Sequence, residues 1–170
     1  MITAYLMGDE IVSTSSDAFS LYEKSQWGEK KIKKIVYSSF EALSLFESAK
    51  MQVFAGKKSL GEDELRAKLR KGDKKFETKY SVFRDLREKG YIVKTALKFG
   101  AEFRVYKKGD KPGEGHAKWI LFTARESEQM SMHDFSAKSR VAHSTKKFLL
   151  LGVVDDEGDV TYYEVRWARP

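Results

Sequence analysis

The chain has 170 residues, 41% of them hydrophobic and 13% aromatic, with 32 Lys and Arg against 25 Asp and Glu for a formal charge of +7. Such a composition provides for one sizeable domain or two small ones with packed cores, not for disorder. With no cysteine, disulfides, zinc ribbons, thiol catalysis and haem attachment are excluded, and no apolar run nears the roughly 20 residues of a membrane span. No secretory leader pattern is present either, so the expected setting is cytoplasmic, and the basic excess points to a polyanionic partner.

In chain order, residues 2–7 and 10–13 read as strands paired across the Gly8-Asp9 turn. Ser15, Ser16 and Asp17 offer caps for a helix carrying Ala18, Phe19, Leu21 and Tyr22. A strand over residues 33–37 leads to Ser38 or Ser39, a cap for a helix with Phe40, Leu43, Leu45 and Phe46 inward. A strand at 51–54 and a helix at 60–69 complete a small α+β domain, residues 1–75, suited to packing and assembly. The very polar stretch 68–75 marks the boundary. Beyond it lies a second domain, 76–170. Phe76, Tyr80, Phe83 and Leu86 fall on one helical stripe that stops at Lys89-Gly90. Strands follow at 91–94, 102–106 and 118–122, then a helix capped at Ser131 and running to about His143. Strands 147–154 and 160–167 form a closing hairpin. The order α-β-β-β-α-β-β implies a mixed sheet with helices packed on it, so the fold class is α/β of the α+β kind.

Chemistry concentrates in the second half. Tyr106 ends a strand that alternates Phe103 and Val105 inward with Arg104 and Tyr106 outward. A loop rich in glycine carries His116, where nothing is being packed, and loops of that kind place function on a rigid scaffold. His133 reads as a cap or surface residue and His143 as a structural one. Lys146 and Lys147 are adjacent, and Phe148-Leu-Leu-Leu151 has no alternation with which to choose between them. A phenol, an imidazole and an ammonium are the groups needed to cleave RNA without a metal. One takes a proton from a 2′-hydroxyl, one gives a proton to the leaving oxygen, and one faces the phosphorane between them. A phenol with an ordinary pKa near 10 is a poor base at neutrality, so Tyr106 requires depression by cations, for which Lys107, Lys108 and Lys147 are available. No phosphate-cradling glycine loop and no metal-ligand spacing of His and carboxylates is found, so no cofactor or metal is expected. Glu102-Phe103-Arg104 only partly matches the Glu-x-Lys of metal-dependent nucleases.

Taken together, Tyr80-Ser-Val-Phe-Arg-Asp-Leu-Arg-Glu-Lys-Gly-Tyr91, Lys98-Phe-Gly-Ala-Glu-Phe-Arg-Val-Tyr106, Gly115-His116 and Arg140-Val-Ala-His-Ser-Thr-Lys-Lys147 resemble the archaeal tRNA-splicing endonucleases of catalytic-subunit type. That resemblance implies a restriction-endonuclease-like C-terminal nuclease domain acting on precursor tRNA. It implies cutting of the bulge-helix-bulge at exon-intron junctions without a metal, leaving 2′,3′-cyclic phosphate and 5′-hydroxyl ends. Tyr106 is then the general base, His116 the general acid and Lys147 the transition-state stabiliser. Arg140 and Trp167, or a neighbour of the latter, would clamp a bulged base between side chains of two subunits, since unstacked bases are held on guanidinium and indole planes. The turn Asp155, Asp156, Glu157 and Asp159 would dock into another subunit of a homotetramer or of a heterotetramer with a structural subunit. Two other classes share some of these features, a non-catalytic RNA-binding subunit and a metal-dependent DNA nuclease.

Overall fold

In a computed structural model that describes all 170 residues, the chain divides into two units, Met1–Lys74 and Lys75–Pro170. The first holds β1 (Ile2–Met7), β2 (Glu10–Ser13), β3 (Glu29–Lys30), β4 (Ile35–Tyr37), β5 (Met51–Ala55) and β6 (Lys58–Ser59), in the sheet order β3-β4-β2-β1-β5-β6. Three helices accompany them, α1 (Ser16–Ser25), α2 (Ser39–Glu47) and α3 (Glu62–Leu69). The β1–β2 hairpin turns through Gly8 at φ 64, a backbone conformation that glycine adopts without steric cost. Ser38 and Glu41 form a reciprocal capping box at the start of α2, and the Glu41 carboxylate also accepts from the Gly28 N–H at 2.9 Å. One buried carboxylate therefore ties a helix start to the loop before β3, satisfying donors that would otherwise be orphaned.

The second unit runs α4 (Phe76–Glu88), β7 (Ile92–Thr95), β8 (Phe103–Tyr106), β9 (Trp119–Arg125), α5 (Met132–Ser144), β10 (Phe148–Val154) and β11 (Val160–Val165), with sheet order β11-β10-β9-β8-β7. The β9–β10 pair is parallel and is bridged by α5; the other pairs are antiparallel. Mixed sheets with helices packed on them are the expected α+β class. No helix is long and apolar enough to cross a membrane.

Both faces of this sheet are covered, which explains the unbroken apolar run of β10. On one face Phe103 meets Phe83 of α4 with ring centroids 5.8 Å apart. The helical stripe foreseen in α4, Phe76, Tyr80, Phe83 and Leu86, is buried throughout. On the other face Ile120, Phe122 and Leu149 form a cluster with Ala142 of α5, flanked by Phe135 and Leu151. Gly152 of β10 marks the closest approach of α4. A Cβ there would lie 2.9 and 3.1 Å from the two Val82 methyl carbons. Gly152→Ala is expected to destabilise the protein by about 1–3 kcal/mol through overpacking, read as a lower denaturant midpoint with an unchanged slope. An unchanged midpoint would show that α4 has room to shift.

Candidate active site

Strand register places the candidate residues at one end of the C-terminal sheet. Val105 pairs with Trp119, and Trp119 pairs with Phe148. One step further, the Lys118 N–H donates to the Val105 carbonyl at 2.9 Å and the Phe148 N–H to the Lys118 carbonyl at 3.0 Å. Tyr106, Lys118 and Lys147 thus lie in one row at the ends of successive strands, and Trp167, two residues past the Leu149–Val165 pair that ends β11, lines the same cavity as Lys147. Two strand spacings, about 10 Å, separate the backbones of Tyr106 and Lys147. Face parity agrees. Arg104 pairs with Ile120 on the α5 side, so Tyr106, two residues on, projects to that side. Lys147, two residues before Leu149 of the same cluster, does likewise.

Tyr106 is only 4% exposed, and its strand is interior to the sheet, between β9 and β7. The alternation is therefore as expected, but the outward side is itself covered, and the phenol is not a surface group. Its pKa moves the other way from the expected depression. Burial raises it, and the cation that partly opposes this is the Arg104 guanidinium rather than a lysine.

His116 is exposed near the foot of the loop between β8 and β9, next to buried Ala117. The loop is shaped by bonds from Asp110 N to Lys107 O at 3.1 Å and from Glu114 and Gly115 N to Lys111 O at 3.1 and 3.0 Å. Gly109 and Gly113 both take φ 92, which side-chain-bearing residues rarely adopt. Lys147 is half-buried, with its ammonium donating to the Thr145 carbonyl at 3.0 Å and lying 5.8 Å from the Phe99 ring centroid. Lys146, by contrast, is exposed in the left-handed region at φ 57. That turn leaves the second lysine to enter the row.

A cavity of about 810 Å³ opens beside Lys147, lined among others by Ser139, His143, Arg166, Trp167 and Arg169. His143 is not packed in the core; its ring lies exposed and parallel to Trp167, with centroids 3.8 Å apart and planes 6° apart. Its spacing from Arg140, three residues on along α5, was the available signal that the two share a helix face. Arg140 is exposed on α5. One oxygen of the Glu102 carboxylate accepts from the Thr123 N–H at 2.5 Å, and burial raises its pKa.

Residues 76–162 match the family described as tRNA intron endonuclease, catalytic C-terminal domain. Whole-chain similarity extends the match. A tRNA-splicing endonuclease of Thermococcus gammatolerans is 41% identical over 170 residues, 99% of this chain and 99% of that protein. One from Pyrococcus furiosus is 40% identical over 170 residues, 99% and 98% of the two chains. The chain belongs to the tRNA intron endonuclease family. A more distant tRNA-splicing endonuclease, from Methanothermobacter thermautotrophicus, is 39% identical over 166 residues, 96% of each chain. The tRNA intron endonuclease match spans Tyr106, His116, Arg140, Lys147 and the acidic turn, and ends before Trp167. In that turn the Asp155 carboxylate accepts from the Glu157 and Asp159 N–H groups, both at 2.9 Å. Asp155 therefore shapes the hairpin, while Asp156, Glu157 and Asp159 project into solvent.

Proposed function

We propose that this chain is an endoribonuclease that excises introns from precursor tRNA, cutting bulge-helix-bulge junctions without a metal. The observation that carries the reading is the placement of Tyr106 and Lys147 in one row, on one face and at one end of the sheet, the end at which the loop holding His116 leaves from Tyr106 and returns at Lys118. Tyr106 takes the proton of the 2′-hydroxyl next to the scissile phosphate, and the 2′ oxygen attacks phosphorus. The Lys147 ammonium faces the extra negative charge of the phosphorane. His116 gives its proton to the departing 5′ oxygen, so the P–O5′ bond breaks as the ring closes and the ends are a 2′,3′-cyclic phosphate and a 5′-hydroxyl. Arg140 and Trp167 take an unstacked bulge base, and the exposed carboxylates of the Asp155–Asp159 turn dock on another subunit of a tetramer, built from this chain alone or with a structural partner. Division of labour follows the two domains, residues 1–75 for packing and assembly and 76–170 for chemistry.

Glu102 stands in no group of three His, Asp or Glu side chains able to hold a metal ion, which speaks against the alternative of a metal nuclease built on that strand. A purely structural RNA-binding subunit would not need Tyr106, His116 and Lys147 together. The purified protein is expected to cut an intron-containing precursor tRNA at two sites and to leave intact a transcript whose bulges have been closed into continuous helix. Equal cutting of both transcripts would overturn the assigned specificity.

A further inference from the structure

We infer that His143 is a positioning residue, the platform that holds the Trp167 indole flat for a nucleobase; this rests on the RNA-cutting reading above. Trp167 lies two residues beyond the end of β11, where the strand ladder no longer fixes a side chain. It is nevertheless set parallel to His143, at 3.8 Å and 6°, although 51% of its surface is exposed. Two rings stacked in the open, and not in a core, bury little. Their arrangement has a use where a third flat group arrives.

His143 sits in the last turn of α5, whose end is closed by the Thr145 N–H to Val141 carbonyl bond at 3.3 Å and by the Thr145 hydroxyl. The helix is thus the rigid part, and the tail carrying Trp167 is the part that needs orienting. The adjoining cavity of about 810 Å³ is also lined by Lys147 and Arg169, cations suited to the phosphates that flank a splayed base, and by Ser139. Ser139 is 9% exposed, and its hydroxyl is buried without a hydrogen-bond partner. A base on the free indole face completes a stack of imidazole, indole and base. Without the imidazole, the indole must be immobilised at the moment of binding, which costs about 2- to 10-fold in affinity for one side chain.

The test uses the full chain and a bulged RNA hairpin with 2-aminopurine in the bulge and a 2′-deoxy substitution at the cleavage position, together with the cleavable form. The wild type is expected to quench the 2-aminopurine, and Trp167→Ala to abolish that quench. His143→Ala is expected to weaken binding and raise KM by about 2- to 10-fold, the loss falling on KM rather than on kcat. His143→Phe, which keeps a flat ring and removes the titratable nitrogens, is expected to restore both. Wild-type affinity in His143→Ala, equal impairment of the Ala and Phe variants, or a loss confined to kcat each overturns the platform. If the wild type quenches the probe but leaves the cleavable hairpin whole, the stack stands and the RNA-cutting reading falls. If cleavage proceeds and His143→Ala is unaffected, the reverse holds.

Discussion

Replacing His116 by alanine is expected to lower the single-turnover rate of RNA cleavage by about 10²–10⁴-fold, the range for losing a general acid, and to leave RNA affinity unchanged. The imidazole is exposed on a loop held by its own backbone turns and by buried Ala117, so its removal opens no cavity and breaks no packing. The residual activity carries a further signature. With the acid gone, the pH dependence is that of the base alone, and the base must be deprotonated to act. Burial raises the Tyr106 pKa above its ordinary value near 10, so the phenolate is the minor form at neutrality. Its fraction grows about tenfold per pH unit up to that raised pKa, and the rate of the variant is expected to climb with it beyond pH 9. A rate that levels off near neutrality would mean that Tyr106 is not the base. Loss of RNA binding along with cleavage would take His116 out of the acid role.

Tyr106→Phe is the companion case, with an expected loss of about 10²–10⁴-fold in the same step. Here the residue is buried, 4% exposed at the end of an interior strand, so a change of activity could be mistaken for a change of fold. Phenylalanine keeps the ring and its packing and removes the hydroxyl alone, which makes no hydrogen bond within the chain. Stability is therefore expected to stay within about 0.5 kcal/mol of wild type. An inactive variant with a wild-type denaturant midpoint supports the base assignment. An active one, or one whose midpoint falls in step with its activity, contradicts it.

Much of the scaffold was legible because its signals are local. The stripe of Phe76, Tyr80, Phe83 and Leu86 is a helix face that any partner would bury, and Ser15, Ser38 and Ser131 do cap the helices they precede. The seven-element order of the second half follows from the same periodicities. What stayed out of reach is set by contacts distant in sequence. The parallel pairing of β1 with β5 and of β9 with β10 leaves no local mark. β3 and β6 are two residues each, too short for an alternation to be read. Alternation put Tyr106 on the face opposite Phe103, but not the fact that this face too is covered. For the same reason Leu149, Leu150 and Leu151 could not rank Lys146 against Lys147; a positive φ at Lys146 separates them in the structure. His143 was read as structural because its partner, Trp167, arrives from the far end of the hairpin.

The most direct test of the account is cleavage of a labelled bulge-helix-bulge precursor tRNA by the purified protein in excess EDTA, with analysis of the product ends. A phenol, an imidazole and an ammonium suffice for the transesterification, so the account predicts paired cuts that leave 2′,3′-cyclic phosphate and 5′-hydroxyl ends at an undiminished rate. Cleavage that requires a divalent cation, or that leaves 3′-hydroxyl and 5′-phosphate ends, would contradict it.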